Sequence, residues 1–190
     1  GFANGFPQGG MNDAGLFFDG LALDRQGVAK SPDRPPFHGN LADPAQLDKL
    51  LKNRGLVDGM VEETVRWVTP VNQFARTATR DVRVRDQLVK QGQSVCLFYA
   101  SGNRDEEIFE DPFASRIDRQ PNDHIGFGRG EHVCLGAHLA RLELRTLFAQ
   151  LRERLVSIER ARPVDRIYSS FIGGVKRAPI RWEMREAKHA

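Results

Sequence analysis

The feature that most constrains this sequence is a cysteine set between a glycine-rich turn and a long amphipathic helix. Residues 135 to 155 read as helix: Leu135, Leu139, Leu142, Leu147, Leu151 and Leu155 recur at helical spacing, with Arg and Glu between them. Just before them, Phe127-Gly128-Arg129-Gly130 interrupts regular structure. Cys134 is therefore expected at a helix N-terminus, where free amides and the positive end of the helix dipole favour thiolate over thiol. A thiolate held this way is a soft metal ligand. Gly128, Gly130 and Gly136 let backbone approach where a side chain would collide. The competing reading, an inert buried thiol, suits the second cysteine, Cys96, inside the apolar run Val95 to Ala100.

The rest of the chain has two textures. Residues 1 to 40 are dense in Gly, Pro, Asp and Asn and read as an irregular leader, with one short strand expected at Leu16-Phe17-Phe18. From Asp43 onward the pattern becomes regular. Asp43-Pro44 is a helix start, Leu47, Leu50 and Leu51 form its apolar stripe, and Gly55 is the expected stop. A second helix is expected from Val57 to Val68, closed by Thr69-Pro70, with Val61, Val65 and Val68 on one face. Val82-Arg83-Val84-Arg85 alternates as a strand, Lys90 to Gln93 is a turn, and Ser94 to Tyr99 reads as a strand. Residues 101 to 126 show no periodicity and form a long coil, which in a compact domain is usually functional. The tail, 156 to 183, reads as short strands broken by Pro163, Gly173-Gly174 and Pro179.

Composition excludes several classes. A net charge of +3, from 28 basic and 25 acidic residues, is too small to argue for nucleic acid. The longest apolar run is too short to span a bilayer, and no charged-then-apolar signal segment opens the sequence, so a cytoplasmic chain without a membrane partner is expected. Two cysteines make no disulfide framework. The first residue is Gly1, so a processed chain or a fragment is expected.

The run Phe127-Gly128-Arg129-Gly130-Glu131-His132-Val133-Cys134-Leu135-Gly136 resembles the haem-binding loop of the cytochrome P-450 family, with every fixed position filled. Glu63-Thr64-Val65-Arg66 resembles the family's Glu-x-x-Arg helix, and Arg66 lies 68 positions ahead of Cys134. Arg119, in Asp118-Arg119-Gln120-Pro121-Asn122, takes the place of the third member of that network. The resemblance implies that Cys134 is the axial thiolate of haem b and that Arg76 and His132 bind its propionates. It further implies that Phe127 shields the sulfur, between Gly128 and Gly136, and that Glu63, Arg66 and Arg119 clamp the coil. Val71 and Asn72, and Ile172 and Gly173 at the last hairpin tip, fall on the substrate side.

The resemblance covers about residues 41 to 183. It implies an α+β, mainly helical fold, the C-terminal haem-binding portion (residues 41–190) of a bacterial soluble P-450. Such proteins are haem-thiolate monooxygenases. The expected partners are a ferredoxin-type electron donor, greeted by Arg129, Arg141 and Arg145, and a small apolar substrate of terpenoid, sterol or fatty acid type. No Ala/Gly-Gly-x-Asp/Glu-Thr run occurs upstream of Glu63, so the distal acid–alcohol pair is not assigned and the chain is expected to be truncated and inactive alone. The alternative is a non-catalytic haem-binding or chimeric relic. Gly9 to Leu16 faintly resembles the amide hydrolases related to choloylglycine hydrolase, but no N-terminal Cys nucleophile accompanies it. A zinc module using Cys96, Cys134, His124 and His132 is a third reading, without the paired cysteines of structural zinc sites.

Overall fold

The computed structural model describes residues 43–186. The leader at 1–40, with its expected strand at Leu16 to Phe18, lies outside the described residues. The first helix, α1 (Pro44–Lys52), is opened by Asp43, whose carboxylate accepts from the amides of Ala45 and Gln46 at 2.9 and 3.4 Å. Pro44 stands first, where an amide hydrogen would have no partner. Its end comes before Gly55. Asn53 leaves helical geometry (φ −131°, ψ 105°) and its side chain accepts from the Gly55 amide, starting a 3-10 turn at Arg54–Leu56. A side chain that caps the next turn competes with helix continuation more effectively than the glycine downstream.

Helix α2 (Val57–Val68) has the expected bounds. It closes on Thr69 in the left-handed region (φ 41°), an unusual place for a β-branched residue. The surroundings over-determine it: the Thr69 hydroxyl donates to the Arg66 carbonyl at 2.6 Å and accepts from the Asn103 amide group at 2.8 Å. Strand β1 (Gln73–Thr77) then pairs antiparallel with β4 (Ser94–Phe98), placing Arg76 opposite Val95. Between them, β2 (Val82–Val84) and β3 (Gln87–Val89) form a hairpin. Tyr99 does not extend β4 but begins the helical turn α3 (Tyr99–Gly102).

Residues 103–129 are coil, followed by a 3-10 turn at Gly130–His132 and the long helix α4 (Ala137–Arg154). Strand β5 (Leu155–Arg160) pairs with β8 (Ile180–Met184), and β6 (Asp165–Arg166) with β7 (Val175–Arg177). The described residues thus combine helices with two-stranded sheets. None of their helices is long and apolar enough to cross a membrane.

The core joins Leu50 of α1, Met60 and Val61 of α2, Ile117 of the coil and Phe148 of α4. Burying each such side chain contributes about 1.5–3 kcal/mol. The coil passes so close to α2 that a Cβ at Gly59 would stand 2.1 Å from the Ile117 carbonyl oxygen. Only glycine permits that approach.

The inner face of α4 differs from the leucine stripe read in the sequence. Ala137, Arg141, Leu144, Phe148 and Leu151 face inward or are partly buried. Leu135, Leu139, Leu142 and Leu147 remain exposed, Leu135 fully so. At about 100° per residue, Leu139 and Leu142 lie opposite the inner face, and Leu135 is in the turn before the helix. Beside the apolar side chains of the inward face, Arg141 and Arg145 pair with Glu62 and Asp58 of α2.

Candidate cofactor-binding site

Glu63 is the hub beneath the site. It is fully buried on α2, together with Arg66 one helical turn later. Arg66 donates Nε to Glu63 Oε2 at 2.8 Å and Nη2 to Oε1 at 2.7 Å, a bidentate pair. Its remaining hydrogens reach the carbonyls of Asn103, Pro112 and Ala114 at 2.7, 2.9 and 3.0 Å. Arg119 comes in from the coil and donates Nε to Glu63 at 3.2 and 3.4 Å. The Arg116 amide and the Asn122 side chain also donate to Glu63, at 2.8 and 3.0 Å. One buried carboxylate, its charge compensated by the arginines, thereby fixes a coil with no regular structure of its own. The coil is also held from Asn103, whose Oδ1 accepts from the Ile125 amide at 2.7 Å.

The cysteine loop is closed by main-chain bonds. The Cys134 amide donates to the Phe127 carbonyl at 2.8 Å, the Gly128 amide to Ile125 at 2.8 Å, and the Ala137 amide to the Cys134 carbonyl at 3.1 Å. Gly128 sits at φ 77°, and a Cβ there would stand 3.2 Å from the Tyr99 hydroxyl. Cys134 is a free, exposed thiol ahead of α4, whose N-cap is Gly136. His132, in the turn before it, is exposed. Behind the loop, Phe127 lies between the His124 ring, 6.0 Å between centroids, and the Arg141 guanidinium, 4.7 Å from the ring centre.

Other sequence-predicted residues meet at the far hairpin. Val71 and Ile172 form an isolated β-bridge. The Asn72 amide donates to Phe171 and the Gly173 amide to Pro70, each at 2.8 Å. Arg76 is half-buried on β1, with its guanidinium 5.8 Å from the Phe74 ring centre.

These features have counterparts in known proteins. The family model described as Cytochrome P450 matches residues 45–175. The chain belongs to the cytochrome P450 family. It is 44% identical over 140 residues to Cytochrome P450-terp of a Pseudomonas species, a match covering 74% of this chain and 33% of that protein. It is 42% identical over 150 residues to the methyl-branched lipid omega-hydroxylase of Mycobacterium bovis, covering 76% and 35%. The crystal structure of CYP108D1 from Novosphingobium aromaticivorans superposes with a TM-score of 0.72 at 39% identity, over 77% of this chain and 37% of that one. The chain spans about a third of the length of these curated relatives.

The residues present fit the haem that a P450 carries. Cys134 offers one unshared soft donor, and the loop's main chain is fixed around it by hydrogen bonds. No group of three or more His, Cys, Asp or Glu side chains among the described residues could hold a metal ion, which removes the zinc reading. Two of its four supposed ligands are engaged elsewhere: the Cys96 thiol donates to Gln73 and His124 bonds Glu62. Burial pushes the Cys96 thiol up to about 11.

The three arginines expected to form a basic face each stand near a carboxylate. Arg141 and Arg145 are paired with Glu62 and Asp58 on α2, and Arg129 lies 3.9 Å from Asp123. Sequence reading also missed the parts played by Glu62, Asn103 and Asn122, and it named His124 only as a zinc ligand. The only local signal for Glu62 is its place beside Glu63. The partners of all four are set by contacts across long sequence separations, which no spacing rule reports.

Proposed function

We propose that residues 41–190 form the haem-thiolate side of a cytochrome P450 monooxygenase, with Cys134 as the axial ligand of haem b. The observation that carries this reading is the free, exposed Cys134 thiol on a loop whose main chain is already fixed. When bound, haem supplies the activation of O2 for hydroxylation, and thiolate ligation favours O–O cleavage. The chain's own residues hold and shield it. Arg76 and His132 neutralise the propionates. Phe127, with Gly128 and Gly136, keeps water and bulk from the sulfur. Glu63, Arg66 and Arg119 keep the coil before the loop in place. Val71, Asn72, Ile172 and Gly173 border a small apolar substrate of terpenoid, sterol or fatty acid type, in keeping with the names of the terpene and lipid relatives. A ferredoxin-type donor supplies electrons, and the protein works in the cytoplasm.

The exposed Leu139 and Leu142 of α4, with exposed Leu135 in the turn before it, support a second element of the proposal. A helix apolar on two opposite faces is normally buried on both. Turnover therefore needs protein corresponding to the remaining length of the relatives, and this chain on its own binds haem without catalysing hydroxylation.

The test is a haem titration followed by a spectrum of the reduced protein under carbon monoxide. A thiolate-type band that is lost in Cys134→Ser, with folding unchanged, is the expected result. A thiolate band persisting in Cys134→Ser, or no haem uptake by the unaltered chain, overturns the reading.

A further inference from the structure

Glu62 and Glu63 are neighbours on α2, and consecutive helical residues point about 100° apart. Glu63 faces the coil. Glu62 faces the cysteine loop, and its contacts have a different logic. Its Oε2 bonds His124 Nε2 at 3.0 Å. Arg141 donates Nε to Glu62 Oε1 at 2.7 Å and Nη2 to Oε2 at 2.9 Å. His124 stands on the limb that enters the loop, and Arg141 on the helix that leaves it. The Phe127 ring sits against both.

The bonding pattern fixes the state of His124. Its side chain is 3% exposed, and its Nδ1 accepts from the Gly126 amide at 3.1 Å. Nδ1 therefore carries no hydrogen, and Nε2–H donates to Glu62. Burial holds the imidazole below its ordinary pKa, consistent with the neutral ring, while Glu62 opposes that shift. The bidentate arrangement also sets the direction of Arg141, which a single surface ion pair would not do.

We propose that Glu62 is a positioning residue for Cys134: its carboxylate ties the incoming and outgoing limbs of the cysteine loop to α2 and sets the separation between them. The purpose of this clamp rests on the haem-thiolate reading, but its geometry does not. The main-chain bonds within the loop shape it, and Glu62 anchors that shape to the helix carrying Glu63. The two adjacent carboxylates divide the work: Glu63 holds the coil, and Glu62 holds the loop.

The test is hydrogen–deuterium exchange of the full chain, read by mass spectrometry. In Glu62→Gln, amides of 124–137 should exchange at least ~10-fold faster while 103–119 keep their protection, as expected of a local opening. Arg141→Lys keeps the charge but loses the bidentate pair, and should loosen the same segment; it serves should Glu62→Gln not fold. Glu63→Gln should show the reverse order, with 103–119 loosening first. With haem bound, Glu62→Gln should convert part of the thiolate-type carbon monoxide spectrum to the thiol type, more than Arg85→Met or an equally destabilising change outside the loop does. Unchanged exchange in 124–137, equal acceleration of both segments in Glu62→Gln and Arg141→Lys, or an unaltered thiolate proportion would each overturn the proposal. Failure of the haem reading shows separately, as no thiolate spectrum in the unaltered chain, and the exchange comparison still decides the clamp.

Discussion

Replacing Arg66 by Met tests how the coil is held, because Met keeps most of the length and removes every donor. Arg66 is fully buried and donates to both Glu63 oxygens and to the carbonyls of Asn103, Pro112 and Ala114. In the variant, Glu63 keeps Arg119, the Arg116 amide and Asn122, and the Ala114 carbonyl keeps Arg119 Nη2 at 2.9 Å. The Asn103 and Pro112 carbonyls lose their Arg66 donor. Each buried acceptor left without its donor costs about 1–3 kcal/mol. Breaking a buried ion pair from one side costs about 3–5 kcal/mol in all. Roughly 4 kcal/mol is therefore expected, a large part of the 5–15 kcal/mol (order of magnitude) that stabilises a typical domain. The assay is urea unfolding followed by far-ultraviolet circular dichroism, accepting only variants with an unchanged m-value. In a cycle with Glu63→Gln, the two losses should not add, because the partners meet directly. Arg85→Met is the control: its pair with Glu107 at 2.9 Å is 76% and 68% exposed, and no measurable loss is expected. A loss below about 1 kcal/mol for Arg66→Met, or additive single changes, would refute the reasoning.

Gly128→Ala should cost about 1–2 kcal/mol, because φ is 77° and the new methyl approaches the Tyr99 hydroxyl at 3.2 Å. Gly92→Ala, at φ 84° in open space, separates backbone strain from the contact; a larger loss at Gly128 in urea unfolding is expected. Stability should fall as pH drops below 6.5, because burial lowers the His124 pKa in the folded chain and the unfolded chain binds that proton first. Unfolding titrations between pH 7 and 5 should show a flatter profile for His124→Asn; parallel profiles would exonerate His124. A further fall is expected below 4.5: burial of Glu62 raises its pKa, but the bonds from Arg141 and His124 prevail and hold the carboxyl below its ordinary value. Alkylation of the folded chain at pH 8 should label exposed Cys134 and spare Cys96, whose thiol is pushed up to about 11, as peptide mapping would show.

The local grammar of the chain was legible in the residues themselves. Asp43-Pro44 and Thr69-Pro70 bound their helices because capping and proline geometry act over a few residues. The cysteine loop was legible because its glycines and Cys134 are contiguous, and the Glu63–Arg66 pair because helical pitch brings residues three apart together. Which face of α4 turns inward was not legible. Leucines occur on both sides of it, and the inward side packs Leu144, Phe148 and Leu151 against the core while Arg141 and Arg145 pair with acidic side chains of α2. The contact of Glu62 with His124 and Arg141 was equally hidden, since it spans 62 and 79 positions. Short-range rules of backbone sterics and periodicity are written into sequence, so the sequence alone determined the bounds of α2 and the loop that presents Cys134. The pairing of charges across the fold depends on which surfaces meet. Only the tertiary structure, where burial makes an unpaired charge too costly to keep, decided that Glu62 and Glu63 each gather a different part of the site.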